Sequence, residues 1–139
     1  MTVQMILLPL FVQVALTFFV LFLTGARRMR PIRERTVGPE AALDDSCFPP
    51  PARQAANNLR NQFEVPVLFY VLTVLVLLTR KADLVFVILA WVFVLSRIVH
   101  ACVHCTSNDV RLRFSAYGVG ALVLLVMWVL YALAILLNV

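Results

Sequence analysis

The stretch LVFVILAWVFVLSRIVHACV, residues 84–103, is apolar throughout except for Ser96, Arg97 and His100. About 20 apolar residues in helical form cross the ~30 Å hydrocarbon core of a bilayer. Lipid offers the backbone no hydrogen-bond partners, so a run of this length is stable there only as a helix. The stretch therefore predicts a membrane-spanning helix with polar residues towards its carboxyl end.

Three further apolar runs cover residues 5–25, 63–79 and 114–139. Hydrophobic residues make up 63% of the 139-residue chain and charged residues only 14%, whereas soluble domains are roughly half apolar and about a quarter charged. We predict an all-α integral membrane protein, a single four-helix bundle over residues 1–139. Its helices are expected at about residues 5–25, 52–79, 84–106 and 113–138, with a loop over about 26–51. The first run is expected to be retained, since its basic residues follow it.

Arginine dominates two of the connections between the predicted helices. The first connection and the start of the second helix hold Arg27, Arg28, Arg30, Arg33, Arg35, Arg53 and Arg60, and the third connection holds Arg111 and Arg113. By the positive-inside rule these connections face the cytoplasm and both termini face the periplasm. The arginines are explained equally well by orientation and contact with anionic lipid or by a role at a site. No other feature supports binding to nucleic acid.

Polar residues form a stripe on each of two predicted helices. Residues that are three, four or seven positions apart share a helix face, which aligns Arg53, Asn57, Asn61 and Glu64 on the second helix and Arg97, His100 and His104 on the third. A charge at membrane depth is costly and usually faces protein or a cavity. We expect Glu64 to pair with Arg97 or with an arginine of the second helix. The stripes then form either a structural ion pair or the walls of an anion-accepting cavity.

The motif HACVHC, residues 100–105, has histidines and cysteines at spacings seen in metal and redox sites. At about 100° per residue on one helix, His100 and His104 share a face, but Cys102 and Cys105 point elsewhere. The four side chains therefore cannot surround one zinc ion. Small buried residues are the expected role of both cysteines. No metal site is predicted, and a histidine-pair metal or haem site is kept as a minor alternative.

The segments RNQFEVPVLF and RIVHACVH, followed by RLRF, resemble the MAPEG family, the membrane-associated proteins in eicosanoid and glutathione metabolism. The resemblance covers essentially the whole chain, and NNLRNQFEVPVLFY is most similar to small bacterial members. It implies a homotrimer of four-helix subunits in a bacterial inner membrane. It also implies glutathione as cofactor, bound between subunits near the cytoplasmic face.

The resemblance assigns roles to particular residues. The catalytic arginine of the family corresponds to Arg113 or Arg111. The cofactor-binding residues of the family correspond to Asn61 and Glu64 on the second helix and to Arg97 on the third. They also correspond to the pair after the first helix, Arg27 and Arg28. Together with the neighbours on the two stripes, the predicted cofactor site comprises Arg27, Arg28, Arg53, Asn57, Asn61, Glu64, Arg97, His100 and His104.

Two positions depart from the pattern of the glutathione-using members. Asn57 stands where these members usually carry arginine, and His104 where they usually carry tyrosine. Each change removes a glutathione contact of the family pattern. Arg53 or Arg60 is the expected substitute for the first contact, and the His104 ring, which can donate as tyrosine does, for the second.

Two functions follow from the resemblance and the stripes. The first is a glutathione-dependent transferase or peroxidase acting on hydrophobic electrophiles. The second is a non-catalytic protein, either lipid-binding or an accessory subunit of a larger membrane complex. The expected partners are the lipid bilayer and further copies of the chain.

Overall fold

The computed structural model describes residues 1–138 and contains five α-helices. They are α1 (Val3–Arg33), α2 (Pro50–Gln62), α3 (Val65–Leu78), α4 (Leu84–Cys105) and α5 (Val110–Leu136). Two short 3-10 turns, Pro39–Ala42 and Asp45–Cys47, lie between α1 and α2. We call the end of the bundle with the α1–α2 and α4–α5 connections the loop end, and the opposite end the turn end.

Within residues 1–138, four helical segments are long and apolar enough to cross a membrane. Three of them are α1, α4 and α5, and the fourth is formed by α2 and α3 together. The chain is therefore an all-helical integral membrane protein. Helix α1 continues through Arg33, whereas the sequence predicted an end near Gly25. Arginine has a high helix propensity, and Pro31 lies in the last turn, so that the helix ends at Arg33, two residues after it. The α1–α2 loop is shorter than predicted as a result.

The second predicted helix is interrupted between Gln62 and Val65. Pro66 has no N–H and its ring clashes with the carbonyl four residues earlier, which breaks a continuous helix. Glu64 takes a non-helical conformation at this break, with φ −94° and ψ −105°. The segment predicted as one helix over about 52–79 is divided here into α2 and α3, which together form one membrane-spanning segment, and Glu64 at the break is exposed on the subunit.

Helix α4 lies at the centre of the bundle, where it packs most extensively on α5 and also contacts α1 and α2. The core rings of Phe69 and Phe93 lie 4.8 Å apart between α3 and α4. Gly120 of α5 faces α4 so closely that a Cβ there would lie 2.6 Å from Ser96 Oγ, whereas a Cβ at Gly118 would meet nothing within 4 Å. The large apolar side chains of α1 and α5 that point outward match a surface in contact with lipid.

A chain of buried amides ties α1, α2 and α4 together. Gln13 Nε2 donates to Gln62 Oε1 at 2.9 Å, Gln62 Nε2 donates to Asn58 Oδ1 at 3.1 Å, and Asn58 Nδ2 donates to Ala101 O at 3.3 Å. The three side chains are fully buried. Buried polar groups are costly unless bonded, so this chain fixes how α2 sits against α4 at the loop end.

Candidate functional site

A cavity of about 470 Å³ lies at the loop end between α2, α4 and α5. Its volume falls within the range of roughly 300–1,000 Å³ that is typical of small-molecule sites. We call it the site cavity and define it by its lining residues, which are Asn57, Arg60, Asn61, Glu64, His100, His104, Val110, Arg113, Phe114 and Tyr117.

Helix α2 supplies the most polar wall of the site cavity. Arg60 Nη1 donates to Asn57 Oδ1 at 3.2 Å, one turn earlier on the same helix. Glu64 is exposed at the α2–α3 break and takes part in no salt bridge among residues 1–138. This wall therefore presents an arginine and a carboxylate that are not paired with each other.

Helix α4 supplies two histidines. The rings of His100 and His104 are 5.5 Å apart at their centroids, and both residues are almost fully buried. The Nδ1 atom of each is buried and has no hydrogen-bond partner. The other nitrogen of each ring, Nε2, is the one that can form a hydrogen bond with a ligand in the cavity.

Helix α5 contributes its first two turns. Val110, Arg113, Phe114 and Tyr117 follow the spacing i, i+3, i+4, i+7 and therefore share one face. Asp109 caps the helix by accepting from the backbone N–H groups of Arg111 and Leu112. Arg113 Nη1 donates to Asn108 Oδ1 at 2.7 Å, which fixes the guanidinium at the cavity wall.

The structure brings together six of the predicted site residues. Asn57, Asn61, Glu64, His100, His104 and Arg113 all line the site cavity. Arg60, expected only as a substitute for the arginine missing at position 57, also lines it, and so do Val110, Phe114 and Tyr117, which were not predicted. The helical spacing from Arg113 to Tyr117 was the signal that could have identified the tyrosine.

The other predicted arginines do not line the site cavity. Arg27 donates to the backbone oxygens of Pro51 and Cys105, at 3.1 and 2.9 Å, and Arg28 donates to Asp45 at 2.6 Å. Arg53 and Arg111 are exposed elsewhere on the subunit. In this subunit Arg27 and Arg28 therefore hold α1 against the rest of the loop end.

Arg97 is only 1% exposed and does not line the site cavity. Its Nη2 donates to the backbone oxygen of Asn61 at 3.1 Å, and its guanidinium lies 5.5 Å from the Tyr117 ring centroid. The expected ion pair between Glu64 and Arg97 is absent from the salt bridges of residues 1–138. The physical reason is the break between α2 and α3. It leaves Glu64 exposed at the cavity rim and leaves the Asn61 carbonyl free to accept from Arg97.

The cysteines of the HACVHC motif point in different directions. Cys102 is exposed, whereas Cys105 is buried and accepts a hydrogen bond from Asn58 Nδ2 at 3.1 Å. Within residues 1–138 no three histidine, cysteine or acidic side chains are grouped so that they could hold a metal ion. The two histidines belong to the wall of the site cavity.

A second, smaller cavity of about 200 Å³ lies at the turn end. Its walls are mainly apolar side chains of α4 and α5, with Lys81, Asp83 and Tyr131 as the polar members. It lacks the group of arginines, amides and histidines that converges at the loop end. The site cavity is therefore the stronger candidate for recognition of a charged ligand.

Comparison with known proteins identifies the family of the chain. A sequence model of the MAPEG family matches residues 6–133, nearly the whole chain. Neither the search of curated proteins nor that of solved structures found a match. The match includes every helix that lines the site cavity, and the chain therefore belongs to the MAPEG family.

Proposed function

We propose that this protein binds glutathione in the site cavity and joins it through its sulfur to hydrophobic electrophiles, or uses it to reduce hydrophobic peroxides. The observation that carries the proposal is that Glu64 and Arg113, of opposite charge, line one cavity without being paired to each other. Such a cavity suits a ligand that itself carries both signs of charge. Family membership supports the same ligand.

Glutathione has two carboxylates, one ammonium and one thiol. Arginine guanidinium groups bind carboxylates through charge-assisted hydrogen bonds, and a carboxylate such as Glu64 binds an ammonium. Arg60 lies at the cavity wall in a position to serve a ligand carboxylate. The amide of Asn61 adds a neutral group that can both donate and accept.

The proposed reaction requires the thiolate. A free thiol has a pKa of about 8.5, and a neighbouring cation lowers that pKa and raises the thiolate fraction at neutral pH. We assign this role to Arg113, whose guanidinium keeps donors beyond the one that bonds Asn108. The thiolate sulfur then forms a bond to carbon of the electrophile, and the leaving group departs with its electron pair.

The electrophile is proposed to enter from the membrane. Val110 and Phe114 form the apolar part of the cavity lining, and Phe114 is 76% exposed at the subunit surface. An apolar substrate dissolved in lipid would meet this edge before it meets water. The position of Phe114 thus supports a hydrophobic electrophile rather than a polar one.

The two departures from the family pattern have structural counterparts that support glutathione binding. Arg60 bonds Asn57 and lines the cavity beside it, so it is the proposed replacement for the arginine usual at position 57. Arg53 is exposed outside the cavity lining and is not proposed for this role. His104 lines the cavity and is proposed to donate in place of tyrosine.

We further propose that the protein is a homotrimer in a bacterial inner membrane, with the loop end in the cytoplasm. Asn57 and Glu64 are exposed on one subunit although they line the cavity, which supports a site completed by a neighbouring copy. The arginine-rich connections support the orientation. Light scattering of the detergent-solubilised protein, corrected for bound detergent, tests this stoichiometry against the 15.7 kDa chain mass.

The test of the activity is turnover in nanodiscs with glutathione and two electrophile classes, an activated aryl chloride and a lipid hydroperoxide. Mass spectrometry would detect the glutathione conjugate in the first case, and the lipid alcohol with glutathione disulfide in the second. Formation of either product above the empty-nanodisc rate supports the proposal. No product from either class, combined with no glutathione binding, would favour the non-catalytic alternative of a lipid-binding or accessory subunit.

A further inference from the structure

A loop carboxylate, Asp45, contacts an arginine of the site cavity. Arg60 Nη2 donates to Asp45 Oδ2, and the other oxygen, Asp45 Oδ1, accepts from Arg28 Nη2 at 2.6 Å. Arg60 belongs to α2 and Arg28 to α1. One carboxylate in the α1–α2 loop therefore links two helices through two arginines, one of which lines the proposed ligand site.

Contacts of the neighbouring residues fix the position of Asp45. The Arg28 guanidinium lies 4.9 Å from the ring centroid of Phe48, which is itself buried at 5% exposure. Asp44 accepts from the backbone N–H of Ser46 at 2.8 Å and caps the 3-10 turn that carries Asp45. These contacts place the Asp45 carboxylate before any ligand arrives.

Arg60 is a long and exposed side chain of the cavity wall. Its side chain is 65% exposed in the salt bridge with Asp45, and a long exposed arginine side chain loses much rotamer freedom when it is held in one geometry. Asn57 fixes Nη1 and Asp45 fixes Nη2. The guanidinium has five N–H donors, so donors remain for a ligand carboxylate after both bonds are made.

We infer that Asp45 is a positioning residue that holds the Arg60 guanidinium at the rim of the site cavity for a carboxylate of the ligand. The inference rests on the proposed glutathione site. It makes the α1–α2 loop part of that site although Asp45 does not line the cavity.

A positioning role and a simple charge effect predict opposite changes in ligand affinity when Asp45 is neutralised. Removing the negative charge of Asp45 raises the positive potential near the cavity, which by itself would strengthen binding of an anionic ligand. Loss of positioning weakens binding, because the ligand must then order the arginine itself. The sign of the change in affinity on neutralising Asp45 therefore separates a positioning role from a simple charge effect.

The experiment measures glutathione affinity in nanodiscs for wild type, Asp45→Asn, Asp45→Glu and Asp44→Asn. Asp45→Asn should weaken binding about tenfold, equivalent to about 1.4 kcal/mol. Asp45→Glu keeps the charge and should recover most of this loss. Asp44→Asn is the matched control, because asparagine also caps a turn and Asp44 contacts Ser46 rather than an arginine.

A double variant tests whether Asp45 acts through Arg60. In the background Arg60→Gln, Asp45→Asn should cause no further loss of affinity, since effects on one shared interaction are not additive. Fully additive losses would overturn the inference, as would tighter or unchanged binding by Asp45→Asn while wild type binds normally.

A second readout needs no ligand. Phenylglyoxal modifies free guanidinium groups, and peptide mass spectrometry resolves labelling at Arg60. Asp45→Asn should speed Arg60 labelling about threefold relative to wild type and Asp44→Asn, and equal rates would overturn the pairing. If wild type binds no glutathione, the proposed function fails and the ligand role of Asp45 fails with it, whereas loss of the Asp45 effect alone leaves the proposed function standing.

Discussion

Arg97 Nη2 donates a 3.1 Å hydrogen bond to the backbone oxygen of Asn61, at the point where the second membrane-spanning segment is interrupted. The neighbouring backbone bonds run from Phe63 N to Arg60 O and from Val67 N to Glu64 O, and neither uses this carbonyl. Arg97 thus satisfies an oxygen that a continuous helix would have bonded itself. The bond stabilises the break that carries Glu64 into the cavity wall.

Replacing Arg97 by Met should destabilise the protein by about 1–3 kcal/mol, because the half-buried carbonyl of Asn61 loses its donor. Thermal unfolding in detergent measures the change. Arg97→Lys should fall between wild type and Arg97→Met, since lysine keeps a donor on a side chain of different shape. An unchanged unfolding temperature for Arg97→Met would contradict the role assigned to this bond.

Replacing Glu64 by Gln should weaken glutathione binding about tenfold or more while the unfolding temperature stays nearly constant. Glu64 is exposed and has no salt-bridge partner among residues 1–138, so its charge is available to the ligand. Glu34→Gln is the matched control, since Glu34 pairs with Arg30 in an exposed i,i+4 bridge. Equal losses of stability and affinity in Glu64→Gln would identify a structural carboxylate instead.

Replacing Arg113 by Ala should lower kcat at neutral pH by about tenfold or more, because the thiol pKa rises when the neighbouring cation is removed and less thiolate is present. The KM for glutathione should change much less. Arg113 lines the site cavity, whereas Arg111 is exposed and does not. Steady-state kinetics of Arg113→Ala beside Arg111→Ala therefore decides between the two arginines, and a larger loss in Arg111→Ala would reverse the assignment.

The two glycines of α5 should respond to alanine with opposite signs. Gly118→Ala adds a Cβ in open space and should stabilise the helix by up to about 1 kcal/mol. Gly120→Ala places a Cβ against Ser96 Oγ and disturbs its 2.6 Å bond to Phe93 O, so it should be less stable than Gly118→Ala by about 1 kcal/mol or more. Equal unfolding temperatures for the two variants would contradict the close approach of α4 and α5.

The sequence predicted the four membrane-spanning segments because length and hydropathy alone decide them. It also predicted that the polar stripes of two helices converge, since helical periodicity fixes which residues share a face. Asn61, Glu64 and His100 were identified in this way, and all three line the site cavity.

Periodicity does not show how a helix is rotated against its neighbours or where its backbone bonds are lost. The expected pairing of Glu64 with Arg97 or with an arginine of the second helix is absent from the salt bridges of residues 1–138, because it depended on the conformation of the break before Pro66. The bonds of Asp45 with Arg28 and Arg60 join residues 17 and 15 positions apart, respectively. Only the path of the loop brings them together, and no local pattern predicts that path.

The central claim is that the site cavity binds glutathione, and calorimetry of the wild-type protein in nanodiscs tests it most directly. Ophthalmic acid, which lacks the thiol, is titrated beside glutathione because both carry the same carboxylates and ammonium. We expect saturable binding of both ligands with Kd at or below about 1 mM, which corresponds to about −4 kcal/mol. If neither glutathione nor ophthalmic acid shows saturable binding, the account is contradicted.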